Sequence, residues 1–187
     1  IAVFFWVPLV YPLVRGGLTR QKILGALFFT VVAALPFALW RKWMVQFPEG
    51  IPVWDWLFNS DGIRFKGAFF YWIFAERLAK LILGYWGVLL FGLGILDKSK
   101  KGTDWFFHVW GVSMLAYVAI LATGNVKHDY YQIVTVPIIA IYAGRGIVYI
   151  QVAAGKSMGR IASYLLLIGV ILGMLAFSWY TIRTYYW

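Results

Sequence analysis

The chain has 187 residues, 63% hydrophobic and only 13% charged, with a formal net charge of +10; its mean hydropathy is +0.78. Soluble domains carry about 25% charged residues, and a soluble fold could not hide this much apolar surface, so composition predicts an integral membrane protein. The cations sit in short clusters between apolar runs, the pattern of membrane topology and lipid-phosphate contact, and this argues against a nucleic-acid partner. Cysteine is absent, which removes disulfides and thiolate metal sites.

In chain order, six apolar segments are predicted: 1–14, 23–40, 78–96, 105–123, 133–150 and 161–180. The full ones approach the ~20 residues a helix needs to cross about 30 Å of hydrocarbon. Helices are the default, because lipid offers no partner to free backbone groups. The expected fold class is therefore an all-α polytopic transmembrane bundle of about six segments, occupying 1–187 as one partial transmembrane domain. Ile1 lies inside an apolar run, with no basic n-region before it and no small-residue cleavage site after it. That is the pattern of a longer chain whose N-terminal part is missing, rather than of a signal peptide.

Three cationic connections alternate along the chain. They hold Arg15, Arg20 and Lys22, then Lys98, Lys100 and Lys101, then Arg145, Lys156 and Arg160. The positive-inside rule puts these on one side and places 41–77 and 124–132 on the outer face. Within the outer stretch, FPEGIPVWDWLFNSDG at 47–62 reads as a turn-rich loop with a short aromatic element. Residues 67–80, GAFFYWIFAERLAK, read as an interfacial helix with an i,i+4 Glu76–Lys80 pair. Gly84, Gly87, Gly92 and Gly94 mark close helix packing in the third segment.

The polar stretch NVKHDYYQIV, residues 125–134, stands out between two apolar runs. Singly, Tyr130 and Tyr131 are aromatic-belt residues, Lys127 is a snorkelling lysine and His128 is a hydrogen-bonded interfacial histidine. Together they present cationic and hydroxyl donors to a phosphate. Asp129 is placed to orient His128 or pair with Lys127, and Gln132 opens the next helix, whose free N–H groups favour an anion. Arg64 and Arg77 are further candidates for holding a diphosphate or lipid-phosphate leaving group, against the plainer reading of headgroup contacts. Asp55 and Asp61 read as turn residues. His108 has no second ligand at metal spacing, so no metal site is expected.

The stretch TGNVKHDYYQIVTVPIIAIYAG resembles the late outer-loop and helix motif of bacterial polytopic glycosyltransferases of the GT-C superfamily, relatives of protein O-mannosyltransferases and the lipid A aminoarabinose transferase. The motif is H-[DE]-Y-Y followed by a helix with an early proline, here His128, Asp129, Tyr130, Tyr131 and Pro137. Residues 62–87 resemble the large outer loop and re-entry helix of the same group. The resemblance implies transfer of a sugar from a polyprenyl-phosphate-linked donor to a glycan, lipid or protein acceptor, on the outer side of a bacterial inner membrane. It implies donor-phosphate binding by Lys127, His128, Tyr130, Tyr131, Arg64 and Arg77, with Asp129 and Gln132 orienting. The family's catalytic carboxylate lies in a first outer loop that this sequence does not contain, and would lie upstream of Ile1. No cofactor is implied, and a divalent metal stays open. A transporter or flippase-like module, and a non-enzymatic membrane scaffold, are the alternatives.

Overall fold

The computed structural model describes residues 10, 11, 13, 15–50, 55–97 and 104–186. Among them the chain is helical and has no strand, as apolar composition and the hydrogen-bonding demands of lipid dictate. Three helices are long and apolar enough to cross a membrane, or four if a bent pair counts as one span. The expectation of about six segments is thus only partly matched. The first, 1–14, lies almost wholly outside the described residues, as do Lys98, Lys100 and Lys101.

Helix α1, Arg20–Met44, is capped by the Thr19 hydroxyl, which accepts from the Lys22 amide, and it continues through Pro36. None of its residues is buried. An apolar helix exposed on every side has lipid as its natural solvent. Short elements come next: α2, Trp56–Asn59, then a 3₁₀ turn at Ser60–Phe65 in which Asp61 and Gly62 take left-handed φ values of 57° and 64°. That conformation suits an Asp–Gly pair.

The expected interfacial helix and third segment turn out to be one interrupted element. Helix α3, Gly67–Phe70, passes into a π-helix, Tyr71–Ile82, and then α4, Gly87–Leu96, sets off at 107°. A continuous span over 78–96 is therefore not what forms. The break lies at 83–86, where Gly84 and Tyr85 take φ values of 53° and 57°. A Cβ on Gly84 would run into Ser178, with the Ser178 Cα at only 2.8 Å, so glycine is needed there for both φ and close approach. Tyr85 holds the same left-handed conformation without that freedom, a strained position sustained by its surroundings.

Helix α5, Asp104–Ile120, ends before the expected boundary at 123. A kink at Leu121 leads into the short α6, Ala122–Lys127. A 3₁₀ stretch, Asp129–Thr135, runs on into α7, Val136–Met158, with Pro137 in its first turn. The expected loop 124–132 is thus mostly helical. Helix α8, Arg160–Tyr186, completes the chain. The tightest contact joins α4 to α7: a Cβ on Gly94 would strike the Tyr142 carbonyl, and one on Gly146 the Leu90 carbonyl. Small residues let these backbones touch. Of the four glycines expected to pack, Gly92 faces open space.

Buried side chains form two clusters. Phe69, Ile73, Tyr117, Val118 and Ala122 tie α3 and the π-helix to the end of α5 and α6. Leu83, Met114, Ile138, Ile139 and Tyr142 tie α5 to α7. Arg145, expected among the loop cations, instead lies within α7. It donates to the Asp97 carbonyl and pairs with the Asp97 carboxylate at 3.7 Å, closing the end of α4.

Candidate functional site

The stretch 55–65 packs against 119–128, so the two polar regions singled out in the sequence meet in space. The Ser60 amide donates to the Thr123 hydroxyl at 2.8 Å. A Cβ on Gly124 would lie 2.9 Å from Leu57, so glycine admits α2 against α6. Four sequence-predicted residues gather here with one that sequence reasoning passed over, Trp56. The Lys127 ammonium sits 5.7 Å from the Trp56 ring centre. The His128 ring meets Trp56 edge-on at 5.6 Å and lies 5.2 Å from Tyr130 and 5.8 Å from Tyr131. Tyr130 and Tyr131 stack at 4.9 Å. Lys127, Asp129 and Tyr130 are exposed, while His128 and Tyr131 are half-buried.

This polar–aromatic cluster is held from below by a buried amide network. Asn125 is fully buried and Gln132 is nearly so. The Gln132 amide donates to the Asn125 carbonyl at 2.6 Å and to its side-chain oxygen at 3.0 Å. Asn125 in turn donates to the Leu121 carbonyl at 3.0 Å, across the kink. The Tyr117 hydroxyl donates to the Tyr131 carbonyl at 3.1 Å, and Thr135 donates to the Gln132 carbonyl at 2.7 Å. Buried hydrogen bonds of this kind hold a conformation, so 125–135 is anchored, with the Gln132 Oε1 left without a partner, while its outer side chains are free to meet a ligand. Gln132, expected to present helix N–H groups to an anion, is an internal strut. No ion pair joins Asp129 to Lys127, and no hydrogen bond joins it to His128, among the described residues.

The two arginines go elsewhere. Arg64 donates from Nε to the Ala119 carbonyl and from Nη2 to the Ile120 carbonyl at 3.0 Å. These are the orphan acceptors at the end of α5, so Arg64 caps that helix. Arg77 points inward from the π-helix and is 8% exposed. Its Nη2 donates to the Val126 carbonyl at 3.3 Å, and its guanidinium lies 5.2 Å from the Trp72 ring centre. Among the described residues, neither arginine touches Lys127 or His128 through a hydrogen bond or ring contact.

Arg77 and Gln132 also line a cavity of about 410 Å³ between the π-helix, α4, α5 and α7. Its walls are almost wholly carbon. At its edge His108 Nδ1 and the Tyr142 hydroxyl are 2.8 Å apart, with the rings stacked at 5.8 Å. This pair, and the amide network, escaped sequence reasoning. Asn125 and Tyr142 lie in stretches whose neighbours read as loop and as uniform apolar helix, and only the fold brings their partners near. Comparison with protein families, with curated proteins and with solved structures finds no match to this chain.

Proposed function

We propose that this chain forms the donor-binding part of a membrane glycosyltransferase. It takes a sugar from a polyprenyl-phosphate-linked donor and passes it to a glycan, lipid or protein acceptor at the outer face of a bacterial inner membrane. One observation carries the reading: Lys127, His128, Tyr130 and Tyr131 are grouped within ring-contact distance around Trp56, on a segment anchored by a buried amide network. Scattered belt residues would not need that anchoring.

In the reaction the bond between the anomeric carbon and the donor phosphate oxygen breaks as the acceptor oxygen attacks. The phosphate leaves with the electron pair, and the acceptor proton passes to a base. Lys127, His128 and the two tyrosine hydroxyls supply donors for the growing charge on the leaving phosphate, which lowers the barrier. No carboxylate of this chain is assigned as the base. Arg64 and Arg77 serve the phosphate indirectly, by fixing the end of α5 and the α6 backbone on which the donors sit. The test is transfer by the intact protein: His128→Ala and Tyr131→Phe are expected to cut the rate while leaving expression unchanged. Wild-type rates in both variants would remove the cluster from the site.

A second reading, a transporter or flippase-like module, draws on the helix bent by 107° and on the buried Arg77 beside it. Broken helices and intramembrane charges are features of substrate pathways. Movement of a labelled polyprenyl phosphate across reconstituted vesicles, without sugar transfer, would favour it.

A further inference from the structure

The cavity beneath the cluster is apolar, and one of its walls is open. Phe74, Ile95, Val112 and Leu115 line it and are 43%, 38%, 64% and 57% exposed. These side chains belong to the apolar surface that a membrane-embedded chain turns toward lipid, so the opening faces hydrocarbon. An empty space of this size forfeits packing along its whole lining, and carbon walls offer water no partners. The natural filler is a hydrocarbon chain entering sideways.

The inner part of the same cavity carries a charge. Arg77 is 8% exposed, and its Nε has no hydrogen-bond partner. Among the described residues no carboxylate lies within ion-pair distance of it. Its neighbour Glu76 is engaged by Lys80 at 3.0 Å and by the Tyr71 hydroxyl at 2.8 Å, and attracts Arg77 only from beyond ion-pair distance. The Val126 carbonyl and the Trp72 face give the guanidinium partial relief, but neither carries a negative charge. A buried cation without a counter-ion is costly, and an orphaned buried donor calls for a partner that the chain itself does not supply.

Carbon walls, a lateral opening and a buried guanidinium with no ion-pair partner and an orphaned Nε together describe the complement of an anionic amphiphile. We propose that the cavity holds one acyl chain of an anionic phospholipid drawn from the surrounding bilayer, with the lipid phosphate at Arg77. A zwitterionic lipid places an ammonium next to its phosphate and so loses much of the attraction. The proposal does not rest on the transferase reading, whose donor is assigned to Lys127 and His128 and which uses Arg77 only as a support of the α6 backbone.

Native mass spectrometry of the purified full chain, exchanged against mixtures of dioleoyl phosphatidylglycerol and dioleoyl phosphatidylcholine, tests it. One phosphatidylglycerol is expected to remain bound, with a preference of about tenfold over phosphatidylcholine. Arg77→Met should bring that preference close to unity, and Arg77→Lys should keep most of it. Leu115→Trp, at an exposed position on the opening, should displace both lipids. No retained lipid, a wild-type protein without preference, or a preference unchanged in Arg77→Met would overturn the proposal. So would displacement of phosphatidylglycerol by an equimolar polyprenyl phosphate. Should Arg77→Met fail to fold, Leu115→Trp decides alone, and unchanged lipid retention there overturns it. Transfer activity at the His128 cluster is a separate readout, so the failure of either idea is visible without the other.

Discussion

The segment 125–135 has two faces that differ in almost every respect. One carries Lys127, Asp129 and Tyr130, exposed and grouped with His128 and Tyr131 around Trp56. The other carries Asn125, Gln132 and Thr135, buried and hydrogen-bonded to one another and to the chain. The exposed face keeps its donors at the molecular surface; the buried face uses its donors mainly on backbone carbonyls. The difference teaches that charge and aromaticity in this stretch are not one feature. The buried half determines where the backbone runs, and the exposed half is thereby free to act on something else.

Mutations should separate the two faces. The largest effect is expected beneath them both, where α4 and α7 touch. Gly146→Leu would drive a side chain into the Leu90 carbonyl, and a loss of about 3 kcal/mol or more is expected in reversible unfolding in detergent. Next comes the inner face. Asn125→Ala removes an acceptor from the buried Gln132 amide and should destabilise by about 1–3 kcal/mol in the same assay. Arg64→Met uncaps the end of α5; about 1 kcal/mol is expected, again without any direct change at Lys127.

The outer face should respond in the opposite sense. Lys127→Ala is expected to weaken binding of a polyprenyl phosphate to the purified protein by roughly tenfold, with a salt dependence lower than that of the wild type. Its unfolding should stay within about 0.5 kcal/mol of wild type. Smallest of all, Tyr130→Phe should leave unfolding unchanged to within the same margin while reducing lipid-phosphate binding a few-fold. If Lys127→Ala unfolds the protein as readily as Asn125→Ala does, the division between faces is wrong.

The long helices were legible because composition alone demands them. The runs 23–40, 133–150 and 161–180 lie almost wholly within α1, α7 and α8. The break at 83–86 was not legible. In a soluble helix the apolar stripe would lose phase at the bend, but a helix in lipid is apolar all round and carries no stripe to lose. Gly84 therefore looked like one more small residue in a packing row, although its φ of 53° is what turns the chain. The helicity of 122–135 was hidden for the complementary reason. Asn125 and Asp129 favour turns when judged singly, and only the burial of Asn125 against Gln132 draws the stretch into helical form. The candidate cluster was legible as a local grouping of Lys127, His128, Tyr130 and Tyr131. Its fifth member, Trp56, and the inward course of Arg77 depend on contacts across some 50 to 70 positions of sequence, which no local pattern encodes.

The π-helix at Tyr71–Ile82 acts as an angular clock for the side chains along it. Its wide turn is visible where the Leu83 amide reaches back five residues to the Leu78 carbonyl. If 71–82 tightened to α geometry with no change of sequence, the four residues from Ile73 to Arg77 would span about 400° instead of the roughly 330° of the π turn, and Arg77 would rotate by roughly 70° relative to the anchored Ile73. The guanidinium would then swing away from Val126, and the cavity would lose its cationic wall without the substitution of any side chain that lines it.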